Sequence, residues 1–216
     1  MPFRYPVALE LSDRRCVVVG GGTVGAHKAQ GLLDAGADVV MIAEEVTPAI
    51  EELAGAGALA VLRRPYVEGD LDGAFLAIAA TDDPGVNAAV YAEGERRRVL
   101  VNSVDDPPHC HFSVPSIVRR GDLVLAISTG GRAPALSKRL RNVLSAQFGP
   151  DLEKVVDLLG EVREKALATR TVGFETWARR WSTALDDELF AMIRAGRVEE
   201  ARERLLRSLS DDPSPA

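Results

Sequence analysis

Gly20, Gly22 and Gly25 of "CVVVGGGTVGAHKAQGLL" fit the spacing G-x-G-x-x-G, between an apolar run and a helical pattern. In that setting Gly20 permits a tight turn and Gly22 lets the backbone approach a pyrophosphate. Gly25 lets the following helix pack on the strand, so that its first N–H groups point at phosphates. The spacing predicts a dinucleotide; a glycine-rich turn without a ligand is the plainer alternative. About 20 residues past the last glycine, where an acid should face the adenosine ribose, stand Glu44 and Glu45. A carboxylate there accepts from a 2′-hydroxyl and repels a 2′-phosphate, which favours NAD over NADP. The same pair could instead be a solvated opening to the next helix.

Further along, "AATDDPGVN" places Ala80, Thr81 and Asp82 where they could line the nicotinamide half. "VNSVDDP" puts Asp105 and Asp106 after another apolar run, either as working carboxylates or as openers of the Pro107-Pro108 turn. The residues leave both readings open. Between Ser113 and Phe148 six basic residues (Arg119, Arg120, Arg132, Lys138, Arg139, Arg141) face one acid, Asp122, in a chain of net charge −6. That reversal suggests an anionic ligand, against a merely solvated face. "STGGRAP" offers backbone N–H groups of Gly130 and Gly131 at a helix start, with Arg132 the best-placed side chain and Arg119 and Arg120 candidates from the preceding hairpin.

Other chemistries fit less well. His109, Cys110 and His111 of "PPHCHF" are adjacent, cannot easily converge on one ion and have no second ligand pair elsewhere, so no metal site is assigned. A Ser-His-Asp hydrolase lacks its nucleophile elbow, and the remaining histidine, His27, sits on the glycine-loop helix.

The elements that must position these residues follow from periodicity. "RRCVVVG", "DVVMIA", "ALAVLRRPY", "AFLAIAAT" and "VLVNSV" read as five buried strands. Helices are predicted after the first (Val24, Lys28, Leu32 and Ala35 at helical spacing), the second (Thr47 as cap, Pro48 at the first position) and the fourth (opened by Asp83 and Pro84). The third and fourth strands share only a short Gly-Asp-rich link. The expected fold class is therefore α/β, a Rossmann-type parallel sheet covered on both faces. Beyond it stand two strands joined by Gly121-Asp122 as a type II′ turn, then a basic helix, then an all-helical region from Gly149. In that region Leu152, Val155, Val156, Leu159 and Val162 share one face, as do Phe174, Trp177, Trp181, Leu185 and Leu189. The tail "SDDPSPA" reads as disordered. The expected division is 1–112 for the dinucleotide, 113–148 for the hairpin and helix, and 149–216 for the helical remainder.

Composition narrows the class. The acidic balance argues against bulk nucleic-acid binding. No stretch is apolar for the roughly 18 residues of a membrane span, and the first residues lack the apolar core of a secretory signal. Two cysteines do not make a disulfide framework and suit a reducing cytoplasm.

Taken in order, "YPVALELSDRRCVVVGGGTVGAHKAQGLLDAGADV", "AATDDPGVN", "VNSVDDP" and "FSVPSIVRRGDLVLAISTGGRAPALSKRLR" resemble one family. It is that of the precorrin-2 dehydrogenases and sirohydrochlorin ferrochelatases, which also form the N-terminal region of sirohaem synthase. The resemblance covers roughly residues 5 to 150. It implies NAD-dependent oxidation of the tetrapyrrole precorrin-2 to sirohydrochlorin, with ferrous iron insertion in some members and a homodimer built through the hairpin and following helix. By position it implies that Thr23 and Val24 lie against the cofactor and that Glu44 and Glu45 are ribose-side contacts. Asp105 matches the catalytic aspartate, and Thr129 falls where some members carry a functional serine. Two other readings stay open: a tetrapyrrole chelatase that turns over no NAD, and a non-catalytic NAD-sensing domain, which would not need the basic hairpin and helix.

Overall fold

A computed structural model describes residues 5–210, so the tail expected to be disordered lies, from residue 211 on, outside the described residues. The chain divides after Val114 into two compact units.

The first unit is built on β1 (Arg15–Val19), whose four apolar residues are buried. Around it run α1 (Thr23–Leu33), β2 (Asp38–Ile42), α2 (Pro48–Gly55), β3 (Ala60–Leu62), β4 (Leu76–Ala79), α3 (Pro84–Arg97) and β5 (Leu100–Ser103). All strand pairs are parallel, in the order β3-β2-β1-β4-β5. The strands are apolar throughout because both faces are covered. Cys16, Val18, Val39, Met41, Leu76 and Ile78 pack with Ala29, Leu32 and Ile50 of α1 and α2. Val17, Val19, Ala77, Ala79 and Val101 pack on the other face with Val90 of α3. Each large aliphatic side chain so buried contributes about 1.5–3 kcal/mol. The parallel sheet and its two helical faces are those expected from the sequence.

The face of α1 is so only in part. Gly25, Ala29 and Leu32 are its buried positions, whereas Val24 is exposed and Lys28 only half-buried. Next to β1 the contact is made by the small Gly25 and Ala29, and Leu32, one of the residues at the expected spacing, completes the face. α3 begins as expected: Asp83 accepts from the N–H groups of Gly85 (2.7 Å) and Val86 (3.3 Å).

No helix joins β3 to β4. The link 63–75 is instead fixed by charge-assisted hydrogen bonds. Arg64 donates twice to Asp70, at 2.8 and 2.6 Å. Glu93 of α3, its side chain 1% exposed, accepts from the Tyr66 hydroxyl, the Gly69 N–H (3.1 Å) and Arg97 Nε (2.6 Å). Burial pushes the Glu93 pKa up, but the bonds from Tyr66, Gly69 and Arg97 outweigh it and hold the carboxyl below its ordinary value. Glu93→Ala is expected to destabilise the protein by about 2 kcal/mol in urea titrations at neutral pH. Because the folded-state pKa is lowered, this contribution is present above the unfolded glutamate's pKa. It is lost as pH falls through the lower folded value, so the gap between wild type and variant should narrow there.

The second unit opens with the hairpin β6 (Ser116–Arg120) and β7 (Leu123–Ile127), paired Arg120 to Leu123. Gly121 carries the positive φ (+55°) of a type II′ turn. Then follow α4 (Pro134–Gln147), α5 (Asp151–Ala168), α6 (Phe174–Ala184), α7 (Asp187–Arg194) and α8 (Val198–Leu209). Val155, Leu158, Val162, Trp177, Leu189, Ile193 and Leu205 form the core of the last four. Phe174 and Leu185 fall outside it and are exposed. The chain breaks between α6 and α7, where Asp186 caps α7 by accepting from Leu189 N–H at 2.9 Å. No helix among the described residues is long and apolar enough to cross a membrane.

Candidate cofactor and substrate site

The carboxyl ends of β1, β2, β4 and β5 are tied together by backbone hydrogen bonds. Gly20 N–H donates to Ile42 (2.9 Å), Ala80 N–H to Val19 (2.8 Å) and Val104 N–H to Ala79 (2.9 Å). Thr47 N–H donates to Gly21 at 3.0 Å, fixing the loop of Glu44 and Glu45 to the glycine loop. Four sequence-distant segments thus share one edge, the edge at which open α/β sheets bind ligands.

The glycines divide by what demands them. Gly20 has φ +112°, and a Cβ on it would stand 2.7 Å from the Ala80 carbonyl carbon. A Cβ on Gly21 would meet the side chains of Ala43 and Val46 at 2.9 Å, and one on Gly25 would press into the Gly20 carbonyl. These three are required by the protein itself. Gly22 is different: it is exposed, and a Cβ there would meet nothing within 4 Å. Nothing among the described residues needs a bare backbone at that point. Gly22 is the N-cap of α1, whose first turn has no side-chain cap and no acid. Thr23 and Val24 are exposed beside it. An open glycine on an uncapped helix N-terminus fits a dinucleotide's pyrophosphate. Glu44 and Glu45 are both exposed on the adjoining loop, available to a ribose. Gly21 was not singled out in the sequence, although the GGG run contains it.

Thr81, half-buried after β4, is committed locally. Its hydroxyl donates to Asn87 Oδ1 (2.8 Å), and Asn87 Nδ2 returns a bond to the Thr81 carbonyl (2.9 Å). Asn87 is a buried polar residue the sequence reading missed; nothing in its local spacing marks it. At the end of β5, Ser103 Oγ is buried and without a partner among the described residues. Asp105 follows with φ +58°, a left-handed conformation uncommon outside glycine, and its exposed carboxylate has no partner among the described residues. Asp106, by contrast, holds the turn. Its carboxylate meets His109 Nδ1 at 2.6 Å and its carbonyl accepts from His109 N–H at 3.0 Å. The turn-forming role and the free carboxylate therefore belong to different residues.

Thr129, Gly130, Gly131 and Arg132 belong to the second unit. Gly130 and Gly131 both have positive φ (+63° and +81°), and Thr129 Oγ1 accepts from the Ala133 N–H at 3.1 Å, ahead of α4. Arg132 is exposed, with no partner for its guanidinium among the described residues. Arg120 is engaged elsewhere: it donates to the carbonyls of Phe148 (2.8 Å) and Ser145 (3.0 Å) at the end of α4. Of the "PPHCHF" residues, His111 Nδ1 accepts from Val101 N–H (2.9 Å), and Cys110 Sγ lies 3.1 Å from the Ser103 carbonyl. Among the described residues no group of three His, Cys, Asp or Glu side chains could hold a metal.

Comparison with known proteins identifies the family. A family model for NAD(P)-binding domains matches residues 7–116, and a model for the central segment of sirohaem biosynthesis proteins matches residues 120–147. The chain belongs to the NAD(P)-binding family and carries the sirohaem-biosynthesis segment directly after it. It is 38% identical over 208 residues to a siroheme synthase of Sodalis glossinidius, covering 96% of this chain and 44% of that protein. Against siroheme synthase 1 of Serratia proteamaculans it is 36% identical over 204 residues, covering 94% of this chain and 43% of that one. The chain thus spans under half the length of these relatives. The solved structure of SirC, a precorrin-2 dehydrogenase, superposes with a TM-score of 0.75 at 29% identity, covering 93% of this chain and all of that one.

Proposed function

We propose that this chain oxidises precorrin-2 to sirohydrochlorin with NAD as the hydride acceptor. The observation that carries the reading is the single sheet edge where an open Gly22, an exposed acid pair and the free carboxylate of Asp105 are tied together. Bound there, the nicotinamide would take a hydride from the substrate.

The chain's own residues supply the rest. The helix N-terminus and Gly22 hold the pyrophosphate, with Thr23 and Val24 alongside. Glu44 and Glu45 accept from the ribose hydroxyls. Loss of hydride leaves positive charge on the tetrapyrrole, and the Asp105 carboxylate stabilises it. Gly130, Gly131, Arg132 and the Thr129 hydroxyl bind substrate carboxylates, the first two through backbone N–H groups. In this reading residues 1–112 bind the cofactor, 113–148 supply substrate and dimer contacts, and the protein works in the cytoplasm.

The reading is tested by anaerobic incubation with precorrin-2 and NAD, followed spectroscopically. Sirohydrochlorin formation supports it, and an unchanged tetrapyrrole spectrum refutes it. Adding ferrous iron afterwards reports whether the chain also inserts the metal, as some resembling enzymes do.

A homodimer is part of the same proposal. Ile117 and Val124 of the hairpin and Leu136, Leu140 and Val143 of α4 are exposed, the last three at i, i+4 and i+7 on one helix face. Light scattering at micromolar concentration should give twice the chain mass; a monomer mass would contradict it.

A further inference from the structure

The "PPHCHF" segment contains a second feature, separate from the carboxylate of Asp105. Asp106 Oδ2 and His109 Nδ1 lie 2.6 Å apart, at side-chain exposures of 33% and 39%. With Nδ1 directed to a carboxylate, the other nitrogen of this partly exposed ring, Nε2, has no partner among the described residues. The neighbours of the pair are committed to holding it. Cys110 Sγ donates to the carbonyls of Ser103 and Asp106, and Cys110 bridges back to Asn102 of β5. His111 accepts from the backbone of Val101 at Nδ1 and meets Glu95 of α3 at Nε2, so both its nitrogens are used. The Tyr91 ring of α3 stands between the two imidazoles, 5.0 Å from each. His109 is therefore a carboxylate-oriented imidazole with one free nitrogen, on the turn that begins one residue after Asp105.

We propose that His109, oriented by Asp106, is the proton acceptor of the oxidation; this rests on the reaction proposed above. A C–H bond of the substrate breaks and its electron pair leaves with the hydrogen, as hydride, to the nicotinamide, which is reduced. The oxidised tetrapyrrole then loses one proton to His109 Nε2, and the imidazolium, paired with Asp106, releases it to water. Imidazole suits this step because its proton affinity matches transfer near neutral pH better than a carboxylate's does. Asp105 keeps the electrostatic role. The titratable groups around His109 are Asp106 and Cys110 on its own segment, Tyr91 from α3, and the His111–Glu95 pair beyond the Tyr91 ring. β5, Leu100–Ser103, brings none.

The test is the pH profile of kcat/KM for precorrin-2 under saturating NAD. Wild type should lose activity on the acid side, as a step that needs a free base does. His109→Gln should lower the plateau about a hundredfold, abolish that acid limb and regain rate with added imidazole, while NAD affinity stays within about twofold. Asp106→Asn should lower the plateau and, unlike His109→Gln, gain nothing from added imidazole, because the base is still present but no longer oriented. A His109→Gln enzyme that retains plateau and limb overturns the proposal. So does an undiminished plateau in Asp106→Asn, which decides the matter if His109→Gln fails to bind NAD. A wild type that forms no NADH from precorrin-2 instead overturns the oxidation reading itself, and the proton step with it.

Discussion

Gly22→Asp should abolish NAD binding. At Gly20, Gly21 or Gly25 a side chain would collide with the protein, so loss of binding there could reflect misfolding. Gly22 opens on space, and its φ of −74° is one any residue adopts. The substitution should leave the fold and melting temperature nearly unchanged. It adds bulk and a negative charge where a pyrophosphate must approach the N-terminus of α1, and the two charges repel in a site with no compensating cation in the first turn. Calorimetric titration should find affinity reduced by a hundredfold or more. In the wild type the same titration should favour NAD over NADP, because Glu44 or Glu45 would face the 2′-phosphate. Equal affinity for the two cofactors would remove the acids from the ribose. Undiminished NAD binding by Gly22→Asp would remove the pyrophosphate from the loop.

Asp105→Ala should lower the oxidation rate a hundredfold or more under saturating NAD, the scale expected when a positioned electrostatic group is lost. NAD affinity should barely change, since the proposed contacts to phosphates and ribose lie at the ends of β1 and β2. Its carboxylate has no partner among the described residues whose loss would unfold the turn, and although alanine suits φ +58° less well than aspartate, that cost falls on stability and not on NAD affinity. Asp106→Ala removes the partner of His109 and one anchor of the turn, yet leaves the free carboxylate in place. Its loss of rate should be smaller, about tenfold. If Asp106→Ala proves the more damaging, the catalytic carboxylate has been placed one residue too early; if neither matters, the assignment is wrong.

The sheet was legible because a strand buried on both faces is apolar throughout, and "CVVV", "VVMI" and "LAIA" are so. The glycine loop was legible because its spacing follows from backbone geometry. The face of α1 was legible in part: Gly25 followed from the glycine motif and Leu32 from periodicity, but periodicity searches for large side chains and offered Val24 and Lys28 where close helix-strand approach selects Ala29. Pairings across long separations, such as Tyr66 with Glu93, leave no local trace. "PPHCHF" shows the limit most sharply. The adjacency of His109, Cys110 and His111 argued against a shared metal, but it did not show the partner each takes, two toward β5 and one to Asp106. The break between α6 and α7 was written in "LDDELF", where an aspartate cap precedes further acids, but the apolar spacing running across it masked the stop.

The central claim is that a hydride passes from the tetrapyrrole to NAD held at this edge. Counting NADH formed against precorrin-2 consumed, anaerobically and in a single turnover, tests it directly. The account predicts equal amounts in the wild type and none with Gly22→Asp. Tetrapyrrole oxidised without NADH, or NADH formed as readily by Gly22→Asp, would contradict it.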